Sequence, residues 1–162
     1  MSYNEDIKKM MVAYGQSTPT EIQDLKGGHV VPSDIHKTVV SLKAYSDELL
    51  QPHDSDSEID KLRKLRISLL IEEFCEYIYA ERDNNIVEIA DALGDMKVII
   101  EGTAISYGIP LEAVDQEILG SNMSKVTQDG TVLRREDGKV LKPEGYYPPN
   151  LAKIIYPTEE NN

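Results

Sequence analysis

Five acidic side chains recur at a spacing suited to holding a cation. Glu72, Glu73 and Glu76 fall in one segment and Glu88 and Asp91 in the next, with the polar break Arg82-Asp83-Asn84-Asn85 between them. Both segments carry helical periodicity, so Glu73 with Glu76, and Glu88 with Asp91, share a helix face. The midpoints of the two pairs lie 7.5 residues either side of residue 82. An antiparallel hairpin turning there brings both pairs to one height, roughly 11 Å from the turn at ~1.5 Å per residue. Carboxylates gathered in this way repel one another unless cations hold them, which is the layout of a magnesium site.

The acids also occupy positions where hydrophobic residues are expected. On the first helix the row Leu62, Leu65, Leu69 continues through Glu73 and Glu76, with Leu70, Tyr77 and Ile78 on its flanks. On the second, Ile86, Ile89, Ala90, Leu93, Met96 and Ile100 form the packing face, and Glu88, Asp91 and Asp95 run along its edge. Burying an ionised carboxylate without a partner costs on the order of several kcal/mol. A hard divalent ion removes that cost, and Mg²⁺, with Mn²⁺ as a substitute, suits a donor set that lacks His and Cys. A di-iron carboxylate bundle needs Glu-x-x-His on two helices, and none of His29, His36 and His53 follows a glutamate by three residues. The plain alternative is a pair of acidic surface helices balanced by Lys61, Arg63, Lys64 and Arg66.

A chain of 162 residues suits one domain with a tail. The net charge of −12 argues against general affinity for nucleic acid or an anionic membrane. Residues 1–120 carry 11 Lys and Arg against 23 Asp and Glu, whereas residues 121–155 carry 6 against 4. An acidic core followed by a slightly basic tail suits a ligand that is both anionic and metal-bound, such as a nucleoside triphosphate. The single Cys75 excludes an intrachain disulfide framework and fits a reducing compartment. The polar opening and the shortness of apolar runs such as Val98-Ile99-Ile100 predict a cytoplasmic protein without a membrane span. A thin helical hairpin cannot cover its own apolar stripes, so a homodimer or homotetramer is expected to complete the core.

Five helices are predicted, over 4–14, 35–50, 59–81, 85–107 and 111–124. Gly15 ends the first, Asp34 is placed to cap the second and Pro52 stops it. Residues 16–34, with Gly27-Gly28 and Pro32, read as a connection. The run His53-Asp54-Ser55-Asp56-Ser57-Glu58 lacks the glycine and the terminal glutamate of a calcium loop and reads as a linker in which Asp56 or Ser57 caps the next helix. After Lys125 the period vanishes. Asp129-Gly130 and Asp137-Gly138 are turn signals, with Val132-Leu133 and Val140-Leu141 available for a short hairpin, and Tyr146-Tyr147-Pro148-Pro149 predicts extended chain. The reading is all-α: a bundle of four to five helices over 1–125, with 20–59 as a variable insertion, and an extended tail over 126–162 that packs on the bundle or on a neighbouring subunit.

Glu72-Glu73-x-x-Glu76 followed by Glu88-x-x-Asp91 resembles the Glu-x-x-Glu…Glu-x-x-Asp signature of the all-alpha nucleoside triphosphate pyrophosphohydrolases. That superfamily comprises MazG-like proteins, phosphoribosyl-ATP pyrophosphohydrolase-like proteins and dimeric dUTPases. The tail is similar to the MazG-like, phosphoribosyl-ATP pyrophosphohydrolase-like branch of bacteria and phages: Ser121-Asn122-Met123-Ser124-Lys125, Asp137 to Lys142, Gly145-Tyr146 and Pro148-Pro149-x-Leu151. Ile7 through Tyr14-Gly15-Gln16 resembles that branch's first helix. The resemblance covers about 6–19 and 60–155.

The resemblance implies that water attacks a phosphorus of a Mg²⁺-bound (deoxy)nucleoside triphosphate, releasing the monophosphate and pyrophosphate and thereby controlling nucleotide pools. Glu73, Glu76, Glu88 and Asp91 would be metal ligands. Glu72 would hold a further ion or accept the proton of the attacking water, the choice of base lying between Glu72 and Glu73. Lys125 with Asn122 would bind phosphate, and Lys139 and Lys142, with Tyr146 in the same tail, would close over the polyphosphate. Asp95 is either a partner of the ligands or a contact to the sugar. Gln16, Tyr14, Tyr77 and Tyr107 are candidates for the base pocket, with dUTP, dCTP or dGTP as substrates. The alternatives are a phosphoribosyl-ATP pyrophosphohydrolase, which the 20–59 segment and the tail argue against, and a non-catalytic acidic helical adaptor.

Overall fold

The computed structural model describes residues 2–25, 30–32 and 34–157; Gly27-Gly28 and His29 therefore lie outside the described residues. The described residues form α1 (Tyr3–Ala13), α2 (Ile35–Leu49), α3 (Glu58–Arg82), α4 (Ile86–Tyr107), α5 (Leu111–Met123) and α6 (Leu151–Ile155). The first five match the helices expected from apolar periodicity. The sixth, five residues capped by the Asn150 side chain on the Lys153 amide, is too short to show a period.

The helix ends follow from their capping residues. Ser2 with Glu5 and Ser57 with Asp60 form reciprocal capping boxes on α1 and α3, so Ser57 rather than Asp56 starts α3. Asp34 occupies the N-cap position of α2 but makes no side-chain cap. Gly15 ends α1 at φ 65°, where its amide reaches Val12 O and the Gln16 amide reaches Met11 O. Only a left-handed residue closes that pair of bonds.

Two asparagines make the α3–α4 hairpin. Asn84 takes the left-handed conformation at φ 52°. Its amide bonds Glu81 O and the Asn85 amide bonds Ala80 O, closing the last turn of α3. The Asn85 side chain then accepts from the Val87 and Glu88 amides and opens α4. With Asp83–Asn85 as the whole connection, the hairpin centres on residue 84 rather than on the expected 82. Glu73 thus comes level with Asp95, about one helical turn beyond Asp91.

Two compact units divide the chain: Met1–Gln23 with Gly108–Asn162, and Asp24–Tyr107. Residues 126–157 therefore share a unit with α1 and α5 and do not stand apart from the helices. In the second unit α2 runs back along α3, joined by a buried Ser46–Ser68 hydroxyl pair at 2.6 Å and by His36 Nδ1 with Tyr79 OH at 2.8 Å. Arg66 ties α3 to α4 by donating to Ser106 Oγ at 2.8 Å. Val39, Cys75, Ala80, Ile89, Ala92 and Ala104 form its buried core. The packing face of α4 is rotated from the expected one: Ile89 is buried, but Leu93 is 51% and Ile100 48% exposed, and Ala92 and Ala104 are buried instead. Small residues make up the buried face, and the larger ones are left outside. On α3, Ile67, Leu70 and Phe74 form a second exposed apolar row.

In the first unit α5 packs against α1 and α6. Ser121 Oγ donates to Tyr147 O at 2.9 Å, the Tyr147 amide donates to Ser124 Oγ, and the Asn150 amide donates to Glu117 at 2.7 Å. Gly120 admits the Tyr147 hydroxyl, which a Cβ there would meet at 3.0 Å. The expected Val132-Leu133/Val140-Leu141 hairpin is reduced to isolated bridges, Val126 with Val132 and Arg134 with Val140. The tight turns at Gly130 and Gly138, both at positive φ, leave too few residues between them to extend a ladder.

Asn84→Val places a β-branched residue in the left-handed region and is expected to cost ~1–2 kcal/mol. Asn84→Gly, which keeps that conformation accessible, is expected to cost less. Urea unfolding of the two variants checks this, and equal stability of both would show that the turn does not rest on that conformation.

Candidate active site

Glu73 is the focus of the acidic region. It projects from α3, half-buried, and its Oε2 is fully enclosed with no hydrogen-bond partner. Burial pushes its carboxyl above the usual range, and the charges of Glu76, Asp95, Glu72 and Asp91 add to the effect in that order. Asp95 precedes Asp91 because the hairpin turns at 84. Asp95, whose role the sequence left open, thus acts on Glu73 from across the hairpin, as does Asp91.

The other acids are spread around this point. Glu76 and Glu88 flank a cleft of about 350 Å³ near the hairpin end, lined also by Tyr79, Asp83 and Asn85. Glu72 lines a smaller cleft between α2 and α3, with Lys43, Ser46, Asp47 and Ser68. Glu72, Glu76, Glu88, Asp91 and Asp95 are all exposed. Among the described residues no three His, Cys, Asp or Glu side chains gather closely enough to surround an ion. The expected convergence is therefore one of helix faces: the carboxylates share a region, and their side chains stand apart as like charges do. The donors still fit a hard cation by chemistry. They are all oxygen, and the enclosed Oε2 of Glu73 lacks a proton donor or a cation to satisfy it.

The remaining candidates divide between packing and exposed positions. Tyr77 donates to Glu81 at 2.8 Å within α3. Tyr107 ends α4, partly exposed. His36 is held by Tyr79, whose ring also carries Arg82 at 4.6 Å. Cys75 is wholly buried, and burial raises its thiol pKa and leaves it inert.

In the other unit, Tyr14 gives its hydroxyl to Asn122 O at 2.7 Å, so it braces the end of α5. Gln16 lies exposed just beyond α1. Lys125 Nζ donates to Asn122 Oδ1 at 2.7 Å. Lys139 is exposed in the Asp137-Gly138 turn, where its amide bonds Asp137. Tyr146 carries Lys142 at 4.6 Å and Lys125 at 5.9 Å from its ring centre. The contact with Lys125 does not follow from sequence spacing, because 20 residues of irregular chain lie between it and Tyr146.

An all-helical fold built on a hairpin of acid-bearing helices defines the class, and comparison with known proteins gives the family. The model of the phosphoribosyl-ATP pyrophosphohydrolase family matches residues 42–122, half of the chain. The chain belongs to that family, whose members are pyrophosphohydrolases of the MazG-like all-alpha superfamily, acting on phosphoanhydride bonds. The match begins inside α2 and so takes in residues 42–59. A crystal structure of a candidate NTP pyrophosphohydrolase from Exiguobacterium sp. 255-15 has a similar fold. Its TM-score is 0.56 at 23% identity, over 96% of this chain and 94% of that one. No curated protein matches the chain. No helix among the described residues is long and apolar enough to cross a membrane.

The raised carboxyl of Glu73 makes stability depend on pH. Its protonated form is favoured in the folded state, so its contribution is full below the ordinary glutamate range and is lost as pH rises through the raised value. In chelator, Glu73→Gln should therefore be more stable than wild type at about pH 8 and should match it near about pH 4. Urea unfolding at the two pH values measures this; a difference independent of pH would rule out the electrostatic origin.

Proposed function

We propose that the protein is a Mg²⁺-dependent (deoxy)nucleoside triphosphate pyrophosphohydrolase, converting (d)NTP and water to (d)NMP and pyrophosphate in the control of nucleotide pools. The observation that carries this reading is the enclosed, partnerless Oε2 of Glu73 amid the charges of Glu76, Asp95, Glu72 and Asp91. A fold with no use for a cation there gains by replacing Glu73 with an apolar residue.

Glu73, Glu76, Asp91 and Asp95, flanked by Glu88, are the residues that would hold Mg²⁺, or Mn²⁺ in its place. When bound, the ion neutralises phosphate oxygens and lowers the pKa of water. Glu72, exposed and outside the enclosure of Glu73, is assigned to accept the proton of the attacking water. Asn122, Lys125, Lys139 and Lys142 supply hydrogen bonds and positive charge to phosphate oxygens. The exposed apolar rows on α3 and α4 support association of copies as a homodimer or homotetramer. Among substrates we favour dUTP, dCTP or dGTP.

The family match favours a second reading, hydrolysis of phosphoribosyl-ATP. It uses the same acids on a larger substrate, and complementation of a histidine auxotroph separates it from the first.

A panel of the eight common triphosphates, assayed for pyrophosphate and orthophosphate with Mg²⁺ or Mn²⁺, tests the proposal. Pyrophosphate is expected from at least one deoxynucleotide, lost on chelation and in Glu73→Ala, and reduced ~10–100-fold in Asp95→Asn. Orthophosphate alone, or no product with any member, would overturn it.

A further inference from the structure

Three groups far apart in sequence are gathered on one ring. Lys125, at the end of α5, and Lys142, in the tail, both direct their ammonium groups at Tyr146, at 5.9 and 4.6 Å from the ring centre. Two like charges on one aromatic ring repel, and among the described residues no carboxylate lies within salt-bridge distance of either. The ring's negative face offsets part of that repulsion. What remains is a pair of positive charges against one ring without an anion, in a chain whose net charge is −12.

The pair is braced. Lys125 Nζ is fixed by Asn122 Oδ1 at 2.7 Å, and Asn122 O accepts from the Tyr14 hydroxyl at 2.7 Å. The Arg134 guanidinium in turn bonds Tyr14 O and Gly138 O, tying the end of α1 to the tail. Beside Lys125 and Tyr146 opens a cleft of about 550 Å³, lined by Ser124, Val126, Thr127, Gln128, Gly145 and their neighbours. Glu144 also lines it, and its carboxylate opposes an anion there. The hydroxyls of Ser124 and Thr127 and the amide of Gln128 offer hydrogen-bond donors there, in a lining that adjoins Lys125 and Tyr146 in the chain, which suits a compact polyanion with oxygens on several sides.

We propose that Tyr146 is a positioning residue: its ring clamps Lys125 and Lys142 into one dicationic site that binds the diphosphate moiety shared by the substrate and the released pyrophosphate. The inference rests on the hydrolase reading for its substrate and on the ring geometry for the site. Tyr146 acts through the lysines, so the aromatic face is what matters and the hydroxyl is dispensable.

The test is calorimetric titration of the full-length protein with inorganic pyrophosphate, in chelator and at low ionic strength. Wild type and Tyr146→Phe are expected to bind within about twofold of each other. Tyr146→Leu, Lys125→Met and Lys142→Met are expected to bind about tenfold more weakly. Absence of binding by wild type at millimolar pyrophosphate, equal weakening by Phe and Leu, or full binding by Tyr146→Leu would overturn the clamp. If Tyr146→Leu fails to fold, wild-type affinity in Lys142→Met overturns it, and a loss there with Tyr146→Phe intact upholds it. Pyrophosphate binding in a protein that turns over no triphosphate would sink the hydrolase reading and leave the clamp standing. Turnover without metal-free pyrophosphate binding does the reverse.

Discussion

The arrangement of the acidic region depends on how the chain turns between α3 and α4. Asn84 ends one helix in a left-handed conformation and Asn85 caps the next, so three residues accomplish a full reversal. A connection that short leaves no slack, and it sets which residues of the two helices are level. Moving the centre from 82 to 84 exchanges the partner of Glu73, bringing Asp95 forward and moving Glu88 towards the end of the hairpin.

That geometry places like charges around a partly buried carboxylate, an arrangement that works against the fold. Small residues, Ala92 and Ala104, lie on the buried face of α4, and Ser46 with Ser68 joins α2 to α3. Glu73 lies on α3 of the same helix pair, where water no longer solvates one of its oxygens.

Helix positions were legible in the sequence because apolar periodicity and capping residues both report on local backbone, and those agreed at nearly every boundary. Register was less so. The break Arg82 to Asn85 showed that a turn exists but not which asparagine takes the left-handed position, and a two-residue error there changes the acid opposite Glu73. The packing face of α4 was misjudged for a related reason. Periodicity finds rows of large apolar residues, and on α4 such rows lie on more than one side, so Leu93 and Ile100 remain outside while alanines make the contact. Tyr146 was picked out by its resemblance to a family tail, whereas its union with two lysines depends on the path of irregular chain, which has no period to read. The bond from Tyr14 to Asn122 O was not legible either, because an aromatic side chain in a motif does not reveal where its hydroxyl goes.

The two units also differ in how far the chain must travel to build them. Asp24–Tyr107 is one continuous stretch whose helices meet across short turns, so its contacts cost little loop entropy to close. The other unit joins the first 23 residues to a segment beginning at Gly108, and α1 buries no side chain fully of its own. Its assembly has to wait until the tail carrying Arg134 has been made. On the ribosome, then, the acid-bearing hairpin is free to form while the chain is still growing, and the lysine-bearing half is completed last.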